Sequence, residues 1–136
     1  MLPTVADLLD LDLLRRGSPR VVTGPDGLAA QVRWVHVLEL ADAAHLLRGG
    51  ELVLTTGVAL PAEPVLLARY AAELAAAGVS ALAVELGRRY VEALPSALVR
   101  AAADNGLTLI AFEHEVPFVE ITEARMPSTL SAFWLS

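Results

Sequence analysis

The chain has 136 residues, a size that favours one domain with a single substantial core. Its formal charge of −6 and pI near 4.9 exclude a chain that grips nucleic acid by itself, because such binding needs a clustered basic surface. Cysteine is absent, which rules out disulfides and thiolate metal sites, and no apolar run approaches the roughly 20 residues of a membrane span. With no secretory signal in Met-Leu-Pro-Thr-Val-Ala-Asp, the expected location is cytoplasmic.

In chain order, Thr4-Val-Ala-Asp7 starts a short helix, with the Thr4 hydroxyl accepting from an early backbone N–H, and the helix ends near Leu14 or Arg15. Arg20–Thr23 reads as a strand and Gly24-Pro25-Asp26-Gly27 as a turn, so a hairpin with the next strand is expected. That strand is Gln31–Glu39, rich in β-branched and aromatic residues. In it His36 shares a face with Trp34 and Val32, a core position, while Glu39 is either a ligand-facing acceptor or solvated. Asp42 reads as the cap of a helix over Ala43–Leu47.

Strand-like runs beginning at Glu51, Val79 and Leu107 recur about 28 residues apart, the length of a βαβ crossover. The intervening segments are helices. The first, Pro64–Ala77, has proline at its start, Gly78 as terminator, and Leu66, Leu67, Tyr70 and Leu74 as its buried stripe. The second, Pro95–Asn105, ends at Gly106 and packs through Leu98, Ala101 and Ala102. A further helix is expected over Pro117–Ala124.

In such a sheet the strand ends that lead into helices share one edge, and ligands favour the crevice beyond it. That edge collects Thr55, Thr56 and Gly57 after the first strand, Glu85, Gly87, Arg88 and Arg89 after the second, and Glu113, His114 and Glu115 after the third. Arg48-Gly49-Gly50 lies at the opposite end of its strand, whereas phosphate loops follow a strand and open a helix, so it reads as a turn. The histidines His36, His45 and His114 lack paired metal-ligand spacing, and no serine sits in a nucleophile elbow. Neither a catalytic set nor a cofactor or metal site emerges.

As an ordered set, Thr4–Leu9, Arg33-Trp-Val-His-Val-Leu-Glu39, Leu47-Arg-Gly-Gly-Glu-Leu-Val-Leu-Thr-Thr-Gly57, Gly78–Tyr90 and Glu115-Val-Pro-Phe118 resemble the N-terminal domain of PucR-type (purine catabolism regulator) bacterial transcription factors. The resemblance covers about residues 4–125. It implies a non-enzymatic effector-sensing domain that binds a small metabolite of purine catabolism or other nitrogen metabolism. Signalling would pass through a homodimer to a C-terminal helix-turn-helix, the part that binds DNA and lies outside this chain. The layout is also similar to the N-terminal domains of HPr kinase/phosphorylase and of Mur ligases. This implies a three-layer α/β/α sandwich with a mixed, largely parallel sheet.

The domain is thus expected over 1–125. Residues 126–136 depart from the family pattern and read as a disordered, exchanged or foreign tail, or alternatively as a segment whose Phe133-Trp134-Leu135 docks on an apolar groove of a neighbour. The ligand-binding residues expected are Thr55, Thr56, Gly57, Glu85, Arg88 and Glu113, with hydroxyls and arginine holding oxygens and carboxylates accepting N–H groups. Two alternatives stay open, a self-association module without a ligand and a nucleotide-binding accessory domain of an enzyme.

Overall fold

The structure, a computed structural model, describes residues 2–42 and 44–118. The expected helix over 117–124 beyond Phe118, the boundary at 125 and the tail 126–136 lie outside the described residues. Within them the architecture is the expected sandwich: five strands form one sheet, and helices cover both faces.

Two short helices come first, α1 (Val5–Leu9) and α2 (Asp12–Arg15), where a single helix was expected. A reciprocal cap fixes α1: the Thr4 hydroxyl accepts from Asp7 N at 3.1 Å, and the Asp7 carboxylate accepts from Thr4 N at 3.0 Å. Strands β1 (Pro19–Thr23), β2 (Trp34–Val37), β3 (Glu51–Thr55), β4 (Ala81–Glu85) and β5 (Leu109–Phe112) lie in the order β1-β5-β4-β3-β2. The pairs β2–β3, β3–β4 and β4–β5 are parallel, and β1 runs antiparallel to β5.

Helix α3 (Pro64–Ala76) links β3 to β4, and α4 (Ser96–Asp104) links β4 to β5. The two lie side by side on one face, over Val53, Leu82, Val84 and Leu109. On α3 the buried residues are Leu67, Tyr70, Ala71 and Leu74, so Ala71 takes the place expected of Leu66, which is half-buried. On α4 they are Leu98, Ala101 and Ala102, as expected. The opposite face of the sheet offers Leu52, Leu54, Ala81, Ala83, Ile110 and Phe112 to Val5, Leu8 and Leu14 of α1 and α2. Every residue of β3, β4 and β5 is buried, which is why these strands read as continuous apolar runs.

The expected hairpin does not form, for β1 and β2 occupy opposite edges of the sheet. A 3-10 segment at Pro25–Ala29 replaces the tight turn. The Thr23 hydroxyl donates to Leu107 O at 2.8 Å and the Thr108 hydroxyl to Gly24 O at 2.7 Å, which ties β1 to the start of β5. Downstream of that segment the chain joins the N-terminus instead, with Val5 N donating to Ala30 O and Val32 N to Pro3 O. This route shortens the expected Gln31–Glu39 strand to Trp34–Val37. Between β2 and β3 a single 3-10 turn, Ala44–Leu46, stands in place of the expected helix.

Candidate ligand site at the carboxyl edge of the sheet

The carboxyl ends of β2, β3, β4 and β5 lie side by side, and Thr55, Glu85 and Glu113 lie at or just beyond three of them. Alternation along the strands then divides them. Thr55 is in register with Val84 and shares the α3 face with Val53, whereas Glu85 is in register with Phe112 on the face of α1 and α2. The residues expected to form one pocket thus belong to two clusters.

On the α3 side, the Glu39 carboxylate organises the exit of β3. Its Oε1 accepts from the Thr55 hydroxyl and, at 2.8 Å, from Thr56 N; its Oε2 accepts from the Thr56 hydroxyl. Glu39 is therefore neither solvated nor idle: three donors satisfy a half-buried carboxylate that has no cation partner among the described residues. The Thr55 oxygen also accepts from Gly57 N at 3.1 Å, so both threonines are committed to shaping the turn. Gly57 has φ +82°, and a Cβ there would lie 2.9 Å from Tyr90 Cε2. Only glycine admits both that conformation and the approach of the ring.

Tyr90 is set by the turn after β4, in which Gly87 N donates to Tyr90 O at 2.8 Å. The Arg89 guanidinium carbon stands 5.7 Å from its ring centroid, and Arg89 Nη1 donates to Val58 O at 3.3 Å, joining the loops after β3 and β4. The Tyr90 hydroxyl is buried, and no group among the described residues hydrogen-bonds to it. Desolvation raises its pKa, against an opposing effect of Arg89, so at neutral pH it is a protonated donor. Tyr70 of α3 is shifted well above the ordinary 10.0 by burial, with electrostatic coupling to Glu39 and to the Tyr90 phenol adding to the effect.

On the other side Glu85 is buried, and its Oε1 accepts from Val116 N at 2.8 Å, which anchors the segment after β5. Arg88 Nε lies 3.9 Å from Glu85 Oε2, and its largely exposed side chain has no other partner among the described residues. Glu113 is exposed and bonds Arg20 Nε at 2.9 Å, so its carboxylate ties β1 to β5. Of the six expected residues, Arg88 alone is a charged side chain with most of its donors uncommitted. Sequence reasoning missed Tyr90; an aromatic following Gly87-Arg88-Arg89 at a strand exit was the available signal. Among the described residues no group of three His, Asp or Glu side chains is arranged to hold a metal ion, and no helix is long and apolar enough to cross a membrane.

The fold and this edge define a three-layer α/β domain whose strand exits are cross-linked by its own carboxylates. The sequence matches the purine catabolism regulatory protein-like family, PucR, over residues 7–127, and the chain belongs to that family. It is 35% identical over 81 residues to the transcriptional activator PmfR of Paenarthrobacter nicotinovorans, a match that covers 60% of this chain and 17% of that protein. Its fold is similar to the crystal structure of the CBS and DRTGG domains of the regulatory region of Clostridium perfringens pyrophosphatase, complexed with the activator diadenosine tetraphosphate. The TM-score is 0.55 at 19% identity, over 89% of this chain and 47% of that one.

Proposed function

We propose that this chain is the effector-sensing domain of a transcription regulator and performs no chemistry of its own. It binds a small metabolite, of purine catabolism or other nitrogen metabolism, at the carboxyl edge of the sheet and passes occupancy through a homodimer to a DNA-binding region. Family membership and the similarity to a transcriptional activator support the regulatory role. The observation that carries the ligand site is the buried Tyr90 hydroxyl, which has no partner among the described residues. An unmet buried donor costs about 1–3 kcal/mol, which a ligand acceptor offsets.

In this reading Tyr90 and Arg88 meet the ligand's oxygens. Thr55, Thr56 and Gly57, held by Glu39, form the floor, while Glu85 and Glu113 fix the adjoining loops. A thermal-shift screen with purines, ureides, nucleotides and amino acids tests it, since a ligand at 100 times its dissociation constant adds about 2.7 kcal/mol to stability. A compound that stabilises the protein should lose affinity in both Tyr90→Phe and Arg88→Ala. Unchanged affinity in both variants moves the site elsewhere. No shift across the panel, with concentration-dependent dimerisation, favours a self-association module.

A further inference from the structure

Glu85 joins the turn after β4 to the chain that leaves β5. It ends β4, and its side chain is only 4% exposed. Its Oε1 accepts from Val116 N at 2.8 Å, across 31 residues of sequence. The other oxygen, Oε2, faces Arg88 Nε at 3.9 Å. One buried carboxylate thus holds the segment after β5 on one side and meets the turn after β4 on the other.

The two partners are unequal. Val116 N–H is a neutral donor, whereas Arg88 is the ion-pair partner of Glu85 and, among the described residues, its only one. Burying a carboxylate is costly, and a charge left with a single neutral donor recovers too little of the lost hydration. The bond to Val116 is charge-assisted only while the carboxylate stays ionised and turned inward, so its strength depends on Arg88. Arg88 itself is 60% exposed and not otherwise held. The turn that carries it also carries Tyr90, since Gly87 N closes that turn by donating to Tyr90 O at 2.8 Å. Upstream of Val116 the chain is fixed separately, by His114 N donating to Gly17 O at 3.0 Å.

We propose that Arg88 and Glu85 form a latch through which the ligand site controls the chain leaving the sheet. With Arg88 beside it, Glu85 holds Val116 in place. A ligand oxyanion draws Arg88 to itself, the carboxylate loses its counter-charge, and the hold on Val116 slackens. Glu85 acts through Arg88 and Val116 and touches no ligand, so it is a positioning residue. The latch deepens the effector-sensing reading and rests on it for the ligand, which must be a carboxylate or phosphate. A neutral oxygen lacks the charge to compete with Glu85 for a guanidinium group.

Arg88→Ala reproduces the withdrawn state without any ligand. Amide hydrogen exchange of the full chain, followed by NMR, reads Val116 N–H directly. Leu82 N–H, which donates to Thr108 O at 2.9 Å inside the sheet, serves as the reference for global opening. Arg88→Ala should speed exchange at Val116 about fivefold, a modest factor because solvent screens so exposed a side chain, and should leave Leu82 unchanged. Glu85→Gln keeps an acceptor for Val116 N and loses the charge, so in that background Arg88→Ala should alter Val116 by less than about twofold. A merely structural contact would give the same factor in both backgrounds. Three results each overturn the latch: unchanged exchange at Val116 in Arg88→Ala, equal acceleration in both backgrounds, or parallel acceleration at Leu82. Because the exchange cycle uses no ligand, its failure removes the latch and leaves the ligand site standing, whereas a failed ligand screen removes the site and leaves the coupling of Arg88 to Val116.

Discussion

Residues 51–112 and residues 2–50 build the same sheet by different means. In the first region each crossover carries a helix, and β3, β4 and β5 are buried at every residue. In the second the connections hold, among the described residues, only one-turn or two-turn elements, and β1 and β2 keep exposed or half-buried side chains. The difference shows how connection length distributes stability and chemistry. The helix-bearing crossovers seal one face of the central strands and α1 and α2 seal the other, whereas the short connections leave side chains of β1 and β2 at the surface.

The contrast is broken most severely from its buried side. Leu82 lies at the centre of β4, wholly buried beneath α3 and α4, and Leu82→Ala should cost about 2–5 kcal/mol. Val37→Ala, in half-buried β2, removes less area from contact and should cost about 1 kcal/mol. Urea unfolding of both variants measures the difference. Equal costs would show that β2 is sealed as thoroughly as the central strands.

A smaller effect is expected at the exit of β3. Gly57→Ala forces a left-handed conformation on a Cβ residue, about 1–2 kcal/mol, and also drives that Cβ toward the Tyr90 ring. Gly87 has a similar φ of +108° with nothing within 4 Å of an added Cβ, so Gly87→Ala carries the backbone cost alone. The Gly57 variant should therefore be the less stable of the two by thermal melting. It should also change the near-ultraviolet signal of tyrosine more than the Gly87 variant does, because only its Cβ meets the ring.

The helical half was legible because proline opens each helix and glycine closes it at a steady interval. The edges were not. The partner of β1 is β5, in register from Pro19 with Phe112, and nothing local to residues 19–23 distinguishes that pairing from a hairpin with β2. The site suffered from a subtler effect. A uniform interval of 28 would set Thr55 beside Ala83, with Glu85 on the same face; the register instead joins Leu52 to Ala81, 29 residues later. One residue of offset reverses the face, and so Thr55 and Glu85 part company. Glu39 was visible as a candidate, but its clamp on Thr55 and Thr56 depends on β2 ending beside the exit of β3, a fact of pairing and not of spacing.

The smallest effect is expected at Arg20, where the outer strand meets the polar edge. Its bond to Glu113 is short, yet both side chains are about half exposed, 50% and 47%. An ion pair in that setting contributes about 0.2–1 kcal/mol and weakens with salt. Arg20→Ala should thus lower the melting temperature only slightly, and the difference from the parent should shrink as ionic strength rises. The seam between β1 and β5 rests instead on its backbone ladder and on the Thr23 and Thr108 hydroxyls at its far end. A loss well beyond 1 kcal/mol, insensitive to salt, would show that Arg20 and Glu113 hold the outer strand in place. The polar edge would then contribute to the fold as well as to the proposed ligand site.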